Sequence, residues 1–149
     1  MKEQKISAIR EGTVIDHIPK QNAFKVAEIL NVKESSHIVS VATNLKSKKI
    51  GEKGIVKIGG RTLTAEELNK IALLAPHGTV TEIKNFDIIK KFKLSLPKEA
   101  VHIIQCSNPK CISNLEKINT RFFILTEKPL TVRCNYCERI MKGEEIKII

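Results

Sequence analysis

The first 95 residues alternate short β-branched runs with longer stretches whose apolar positions recur every three to four residues. Thr13–Ile18 (TVIDHI) has the pattern of an inner strand, and Lys5–Glu11 (KISAIRE) before it fits an edge strand or an arm. Pro19 suits a helix entry. The following KQNAFKVAEILNV sets Phe24, Ala27 and Leu30 on one helical face, widened by Val26 and Ile29. His37–Leu45 (HIVSVATNL) reads as the next strand, KSKKIGEKG as a basic loop, and Ile55–Ile58 (IVKI) as a short strand. In TAEELNKIALLAP, Thr64 and Glu67 have the spacing of a capping box. Leu68, Ile71, Ala72 and Ala75 form the apolar face of that helix, and Pro76 ends it. Gly78–Asn85 (GTVTEIKN) alternates as a half-buried strand, which Phe86–Phe92 (FDIIKKF) extends or follows with another. The order β-α-β-β-α-β is the ferredoxin-like split βαβ arrangement. It implies an antiparallel sheet with both helices on one face, and an open face and sheet edge available to ligands or to a second copy of the chain.

KLSLPKEA (Lys93–Ala100) breaks the pattern with Pro97, and a domain boundary is placed there, giving 1–97 and 98–149. Beyond it AVHIIQC, RFFILT, TVRC and EEIKII read as short strands with no helical periodicity between them. The expected fold class is therefore α+β: a ferredoxin-like domain followed by a small all-β domain.

Composition sharpens this picture in two respects. Aromatics are only 4% of the 149 residues and Trp is absent, so Ile, Val and Leu must fill the core. The net charge is +10. Residues 1–95 carry 17 basic and 10 acidic residues, a net +7, and residues 96–149 carry 9 against 6, a net +3. Such a balance favours anionic partners, namely nucleic acid, nucleotides or acidic protein surfaces, over a merely solvated lysine-rich surface only when a site supports it. No apolar run approaches the ~18 residues of a membrane span, and the charged start MKEQKISAIREG lacks a signal-peptide core. A cytoplasmic location is expected, with cysteines as thiols or metal ligands.

All four cysteines fall in the second part, as CSNPKC and CNYC. Two close pairs, each beside a strand, can bring Cys106, Cys111, Cys134 and Cys137 to one tetrahedral zinc with no open position, which makes the site structural rather than catalytic. Disulfides and a rubredoxin-like iron site are the alternatives. A module of roughly 50 residues gains little from burial alone, and a metal supplies the missing folding energy. Lys110, Arg133 and Arg139 lie close enough in sequence to offset the thiolate charge.

Asp16 and His17 stand side by side in an apolar run. They can be an acid–base pair, a ligand grip or a satisfied structural pair. Adjacent strand residues face opposite ways, which counts against a catalytic dyad. No nucleophile–base pair, open metal site or phosphate-cradling glycine motif is present elsewhere, and His37, His77 and His102 stand isolated. Two classes of function remain: a zinc-ribbon nucleic-acid binder, and a non-catalytic regulatory or adaptor subunit that senses a small anion.

GTVIDHIP with Cys-x4-Cys and Cys-x2-Cys, joined in order by VKI, LAP, TVTEIKNF and SLP, resembles the regulatory chains of aspartate carbamoyltransferase nearly end to end. The resemblance implies a chain without activity of its own in pyrimidine biosynthesis. It would bind CTP, ATP, and UTP alongside CTP in its first domain, and hold catalytic chains through its zinc domain. The implied assembly is two catalytic trimers joined by three regulatory dimers, with self-association through the nucleotide domains. On this resemblance Asp16 lies toward ribose and His17 toward phosphate. Lys57 and Lys91 match lysines near ribose and triphosphate, and Ile9, Val14, Ile83, Phe86 and Ile88 line the base pocket. The four cysteines match the zinc ligands, and Asn108, Glu138 and Arg139 on the metal knuckles are assigned to catalytic-chain contact. Ser7 and Thr81 depart from the familiar pattern, so the effector preference does not carry over. The joint around Lys93–Ala100 is the expected carrier of coupling between domains.

Overall fold

The structure is a computed structural model describing residues 9–149. Ser7 and most of the Lys5–Glu11 segment lie outside the described residues, and Ile9–Glu11 form no strand. The chain divides into two compact units, Met1–Ser95 and Leu96–Ile149. Among the described residues no helix is long and apolar enough to cross a membrane.

The first unit contains β1 (Gly12–Pro19), α1 (Ala23–Ile29), β2 (Val39–Ser47), β3 (Gly51–Gly59), α2 (Ala65–Leu74), β4 (Thr79–Lys84) and β5 (Asp87–Lys93). They build an antiparallel sheet of order β2-β3-β1-β4-β5. The first four strands and two helices are the expected split βαβ arrangement. FDIIKKF is a separate edge strand, turned back at Asn85 and Phe86, which both take positive φ (52° and 65°). The basic loop is shorter than its composition indicates, because Gly51–Gly54 continue β3 and leave only a tight hairpin turn around Lys48–Ile50. Cross-strand pairing to β2 and β1 absorbs those residues despite their polarity.

Strand alternation sorts the side chains. Ile15, Val56, Ile58 and Val80 face the helices and pack with Val26, Leu30, Ile71, Ala72 and Ala75 in one core. The exposed positions of the same strands form the sheet's other face. Gly12 begins β1 at φ 143°, where an added Cβ would lie 2.0 Å from the Ile58 carbonyl oxygen, so only glycine fits. Gly54 lets α1 close on the sheet, since a Cβ there would meet that of Ala23 at 2.5 Å.

The α1 segment corrects one expectation. The buried face is Ala23, Val26, Ala27 and Leu30, while Phe24 is 64% exposed. At about 100° of rotation per residue those four share one stripe, and Phe24 falls about 110° from its centre, so its i+3 and i+6 spacing to Ala27 and Leu30 drifts off the buried face. In α2 the capping box is present, with Thr64 accepting from the Glu67 amide at 3.1 Å and Glu67 accepting from the Thr64 amide at 3.0 Å. Thr64→Ala is expected to cost about 1 kcal/mol of N-terminal-unit stability. Denaturant titration of the full chain will read this as a lowered midpoint for that unit, and an unchanged midpoint would refute the cap's contribution.

The second unit contains β6 (Glu99–Val101), β7 (Ile104–Gln105), α3 (Ile112–Leu115), β8 (Arg121–Thr126), β9 (Thr131–Cys134), β10 (Ile140–Lys142) and β11 (Lys147–Ile148). It is β-structure around a single helical turn. The sheet β10-β9-β8-β6 stands with a two-stranded β11-β7 pair. AVHIIQC is split by a bend at His102, whose φ is 58°, and EEIKII starts in a 3-10 turn, Gly143–Glu145, before its strand at Lys147–Ile148. Phe122, Val132 and Met141 are fully buried, with Ile104 and Cys134.

Candidate functional sites

The open face of the first unit collects the nine residues assigned to the effector site. Register places Ser40, Lys57, Val14, Thr81 and Lys91 in one row across all five strands. The row toward Gly12 holds Ile83 paired with Ile88, and Ile9 and Phe86 line a cavity of about 560 Å³ at that end, with Ile38, Ser40 and Gly59. The Phe86 amide is held by the Arg10 carbonyl at 2.9 Å. The row on the other side holds Asp16, Thr79 and Lys93.

His17 breaks the alternation. The β1–β3 register shifts between Ile15 and Ile18, and His17 takes φ 59°. This bulge re-aims a side chain that regular pleating would have sent to the helix side. Its Nδ1 lies 3.1 Å from the Thr79 hydroxyl, on the same face as Asp16. The strand argument against a shared face for Asp16 and His17 is thus overturned, but an acid–base dyad does not form. Asp16 Oδ1 accepts the His17 main-chain N–H at 2.6 Å, and its carboxylate is paired with Lys53 Nζ at 2.8 Å. Lys53 was hidden in the sequence by the apparent loop. Only the hairpin pairing of Lys53 with Pro19 brings it to Asp16.

Burial pushes the His17 imidazole below its usual 6.5; Asp16 acts against the drop, and Lys53, Lys49 and Lys91 reinforce it. Burial also lowers the Lys57 ammonium, again opposed by Asp16. Both groups thus give up charge stabilisation that an anion on this face would restore.

The second site is the cysteine cluster. The four Sγ atoms lie within 4.8 Å of one another. Cys106 and Cys137 approach to 3.6 Å, and Cys111 and Cys134 to 3.7 Å. A disulfide needs about 2.05 Å, whereas four sulfurs about 2.3 Å from a zinc ion have edges near 3.8 Å. The donor set therefore fits one tetrahedral ion and no disulfide. Each pair sits on a turn held by its own backbone. In the first, the Cys111 amide donates to the Asn108 carbonyl at 3.0 Å, and Asn114 Nδ2 donates to the Cys106 and Asn108 carbonyls at 2.9 and 2.8 Å. In the second, Glu138 takes φ 63°, its amide donates to the Cys134 carbonyl at 3.0 Å, and the Cys134 amide donates to Arg139 at 2.9 Å.

Burial pushes the Cys106 thiol up to about 12 and raises Cys134 as well. For Cys137 burial acts upward too, but the Arg139 amide and the Asn108 side chain outweigh it and bring the thiol to about 7. Asn108, Glu138 and Arg139 all lie on these two turns. Arg133 faces elsewhere, over the Phe123 ring at 5.4 Å.

Comparison with known proteins gives matches over both units. A family model described as aspartate carbamoyltransferase regulatory chain, allosteric domain, matches residues 4–95, and one described as the metal binding domain of that chain matches residues 98–147. A protein of Pyrococcus horikoshii named aspartate carbamoyltransferase regulatory chain is 51% identical over 148 residues, covering 98% of this chain and 97% of its own. Proteins of the same name from Thermococcus onnurineus and Porphyromonas gingivalis are 46% and 40% identical over 147 residues. They cover 98% and 99% of this chain, and 97% of their own lengths.

Proposed function

The chain belongs to the family of aspartate carbamoyltransferase regulatory chains, and we propose that it senses nucleotides on the open face of its first unit and relays their binding to the catalytic chain. As a regulatory chain it is non-catalytic, with an allosteric domain and a metal-binding domain, and its partner is the catalytic chain. The four cysteines form the metal site of the second domain, and their geometry suits a structural zinc. The matches over both units favour this reading over a nucleic-acid-binding ribbon.

The observation that carries the effector assignment is the cross-strand row Lys57–Val14–Thr81–Lys91, flanked on one side by the cavity at Ile9, Ile38 and Phe86 and on the other by the His17 bulge. The base enters against Ile9, Phe86, Ile83 and Ile88, the ribose lies over Val14 and Asp16 beside Lys57, and the phosphates meet Lys91 and His17. From Ile83 to Thr79 is about 13 Å of strand, a span suited to a nucleotide laid along β4. CTP, ATP and UTP are the proposed effectors. Thr81, which departs from the familiar pattern, stands in the central row.

The regulatory chains pair through their nucleotide domains, and three such dimers join two catalytic trimers in the cytoplasm. Asn108, Glu138 and Arg139 on the metal-binding turns touch the catalytic chain. Effector binding shifts the assembly only by its differential affinity for two states, a coupling of about 1–3 kcal/mol. The connector is short. Leu94 is buried in the first unit's core with its amide on Gly78, and Lys98 accepts from Ile124 within the second unit. Ser95–Pro97 are left to carry the coupling. The test is to mix the purified chain with its catalytic trimer. A large co-eluting complex whose activity responds to CTP supports the reading, and salt-sensitive binding of RNA or DNA without a complex refutes it.

The depressed His17 adds a pH signature. An anion favours the charged imidazole, so the pKa of the bound state lies above that of the free state. The extra affinity is full below the free-state value and disappears as pH rises through the bound-state value. CTP affinity is expected to rise more steeply from pH 8 to pH 6 in the native chain than in His17→Gln. Comparing the two isolates His17 from the titration of the nucleotide itself, and parallel profiles would exclude His17 from the phosphate contact.

A further inference from the structure

Main-chain groups surround three of the four cysteine sulfurs. Cys106 accepts from the Asn108 amide, Cys134 from the Tyr136 and Cys137 amides, and Cys137 from the Arg139 amide. Cys111 differs, because a side chain reaches it: the Ser113 hydroxyl oxygen lies 3.1 Å from its Sγ. The segment CIS (Cys111–Ser113) sets this up locally. Cys111 stands just before α3 with φ −64° and ψ 138°, and Ser113 falls in the first turn of that helix. A short hydroxyl side chain in such a place bonds back to a near neighbour. Asn114, the next residue, ties the rest of the turn by donating to the Cys106 and Asn108 carbonyls.

Burial makes this contact count. Cys111 and Cys134 are 2% and 0% exposed, the innermost pair of the cluster. Four thiolates around one divalent ion leave an excess of negative charge, and water cannot relieve it at these two sulfurs. Arg133, close in sequence, is turned to the Phe123 ring. An ion-bound cysteine is a thiolate without a proton, so the Ser113 hydroxyl is the donor of the pair. We propose that Ser113 is a positioning residue of the metal centre, whose hydroxyl donates to the Cys111 thiolate and holds that sulfur on the ion. The proposal rests on the reading of the four cysteines as a zinc site.

The experiment uses the full chain, native and as Ser113→Ala, Ser113→Thr and the control Ser107→Ala. Ser107 is on the same turn, but its bonded group is the main-chain N–H, which donates to Met141 Sδ at 3.3 Å. Zinc affinity is read by competition with a chelator of known affinity. Loss of a hydrogen bond to a metal ligand is expected to weaken zinc about tenfold or more in Ser113→Ala. The chains are then loaded with Co²⁺, and the sulfur-to-cobalt charge-transfer band is recorded. A thiolate relieved of its hydrogen bond gives up an electron more easily, so the band of Ser113→Ala moves to lower energy. Ser113→Thr keeps the hydroxyl and restores both affinity and band, and Ser107→Ala leaves both native. Native affinity or a native band in Ser113→Ala, or a Ser113→Thr that behaves like it, overturns the proposal and leaves the zinc site standing. If the native chain takes up neither ion, the metal reading itself fails and the proposal with it.

Discussion

Extracting the metal from Cys106, Cys111, Cys134 and Cys137 will unfold the second unit and release the catalytic chain, while the first unit stays folded. The unit has a core of few large side chains, Phe122, Ile104, Val132 and Met141 among them. A domain of this size gains only about 3–5 kcal/mol from such a core, whereas structural zinc contributes an apparent ~10–16 kcal/mol near neutral pH. Losing the ion removes more stability than the unit has. Three of the four thiols are buried, so without the ion they remain as weakly bonded groups that cannot hold two turns together. A mercurial titration should release about one zinc per chain, followed spectrophotometrically, with loss of the dispersed amide signals of residues 96–149 and of co-elution with catalytic chain. Cys111→Ala should behave the same way. Acid will favour release, because Cys106 and Cys134 resist deprotonation and protons compete with the metal for them. Docking that survives complete metal removal would show that the second unit is not the connector.

Replacing Lys91 and His17 together will abolish measurable CTP binding without unfolding the chain. A hydrogen bond to a charged partner contributes about 1.5–3 kcal/mol, so each single alanine variant should weaken CTP by roughly ten- to a hundredfold. Lys91 is exposed on edge strand β5, so Lys91→Ala should leave the thermal midpoint within a degree or two, about what an exposed substitution costs. His17 is half-buried and bonded to Thr79, so His17→Ala is to be checked by His17→Gln, which keeps a polar side chain. Calorimetric titration reads the affinities. Native-like CTP binding in both single variants would remove these residues from the effector site, whatever the family relationship.

Residue pattern and structure agree most closely where local chemistry decides. TAEELNKIALLAP carries its own cap, face and stop, and α2 follows it. The four cysteines identify a metal site by residue type and spacing, because two such pairs, each on a turn beside a strand, bring four sulfurs to one tetrahedral centre. Agreement fails where pairing overrides local composition. KSKKIGEKG looks like a solvated loop, yet its second half is strand because β1 and β2 supply hydrogen-bond partners on both sides. Phe24 stands three residues before Ala27, but the stripe that packs on the sheet is Ala23, Val26, Ala27 and Leu30, and Phe24 falls beside it.

GTVIDHIP marks the division most clearly. Its residue types alone established an inner strand with a polar pair at its end, in a chain whose order of elements implies a split βαβ sheet. Those are local properties, set by β-branching, periodicity and punctuation. The orientation of the pair was a tertiary matter. Regular pleating sends Asp16 and His17 to opposite faces, and only the mismatch of register between β1 and β3 inserts the bulge that turns His17 toward Thr79. The same pairing carries Lys53 to Asp16 and lines up Lys57, Val14, Thr81 and Lys91 from four strands. No one segment encodes that alignment, because register is a relation between strands distant in sequence and is settled only when one face is buried against the helices.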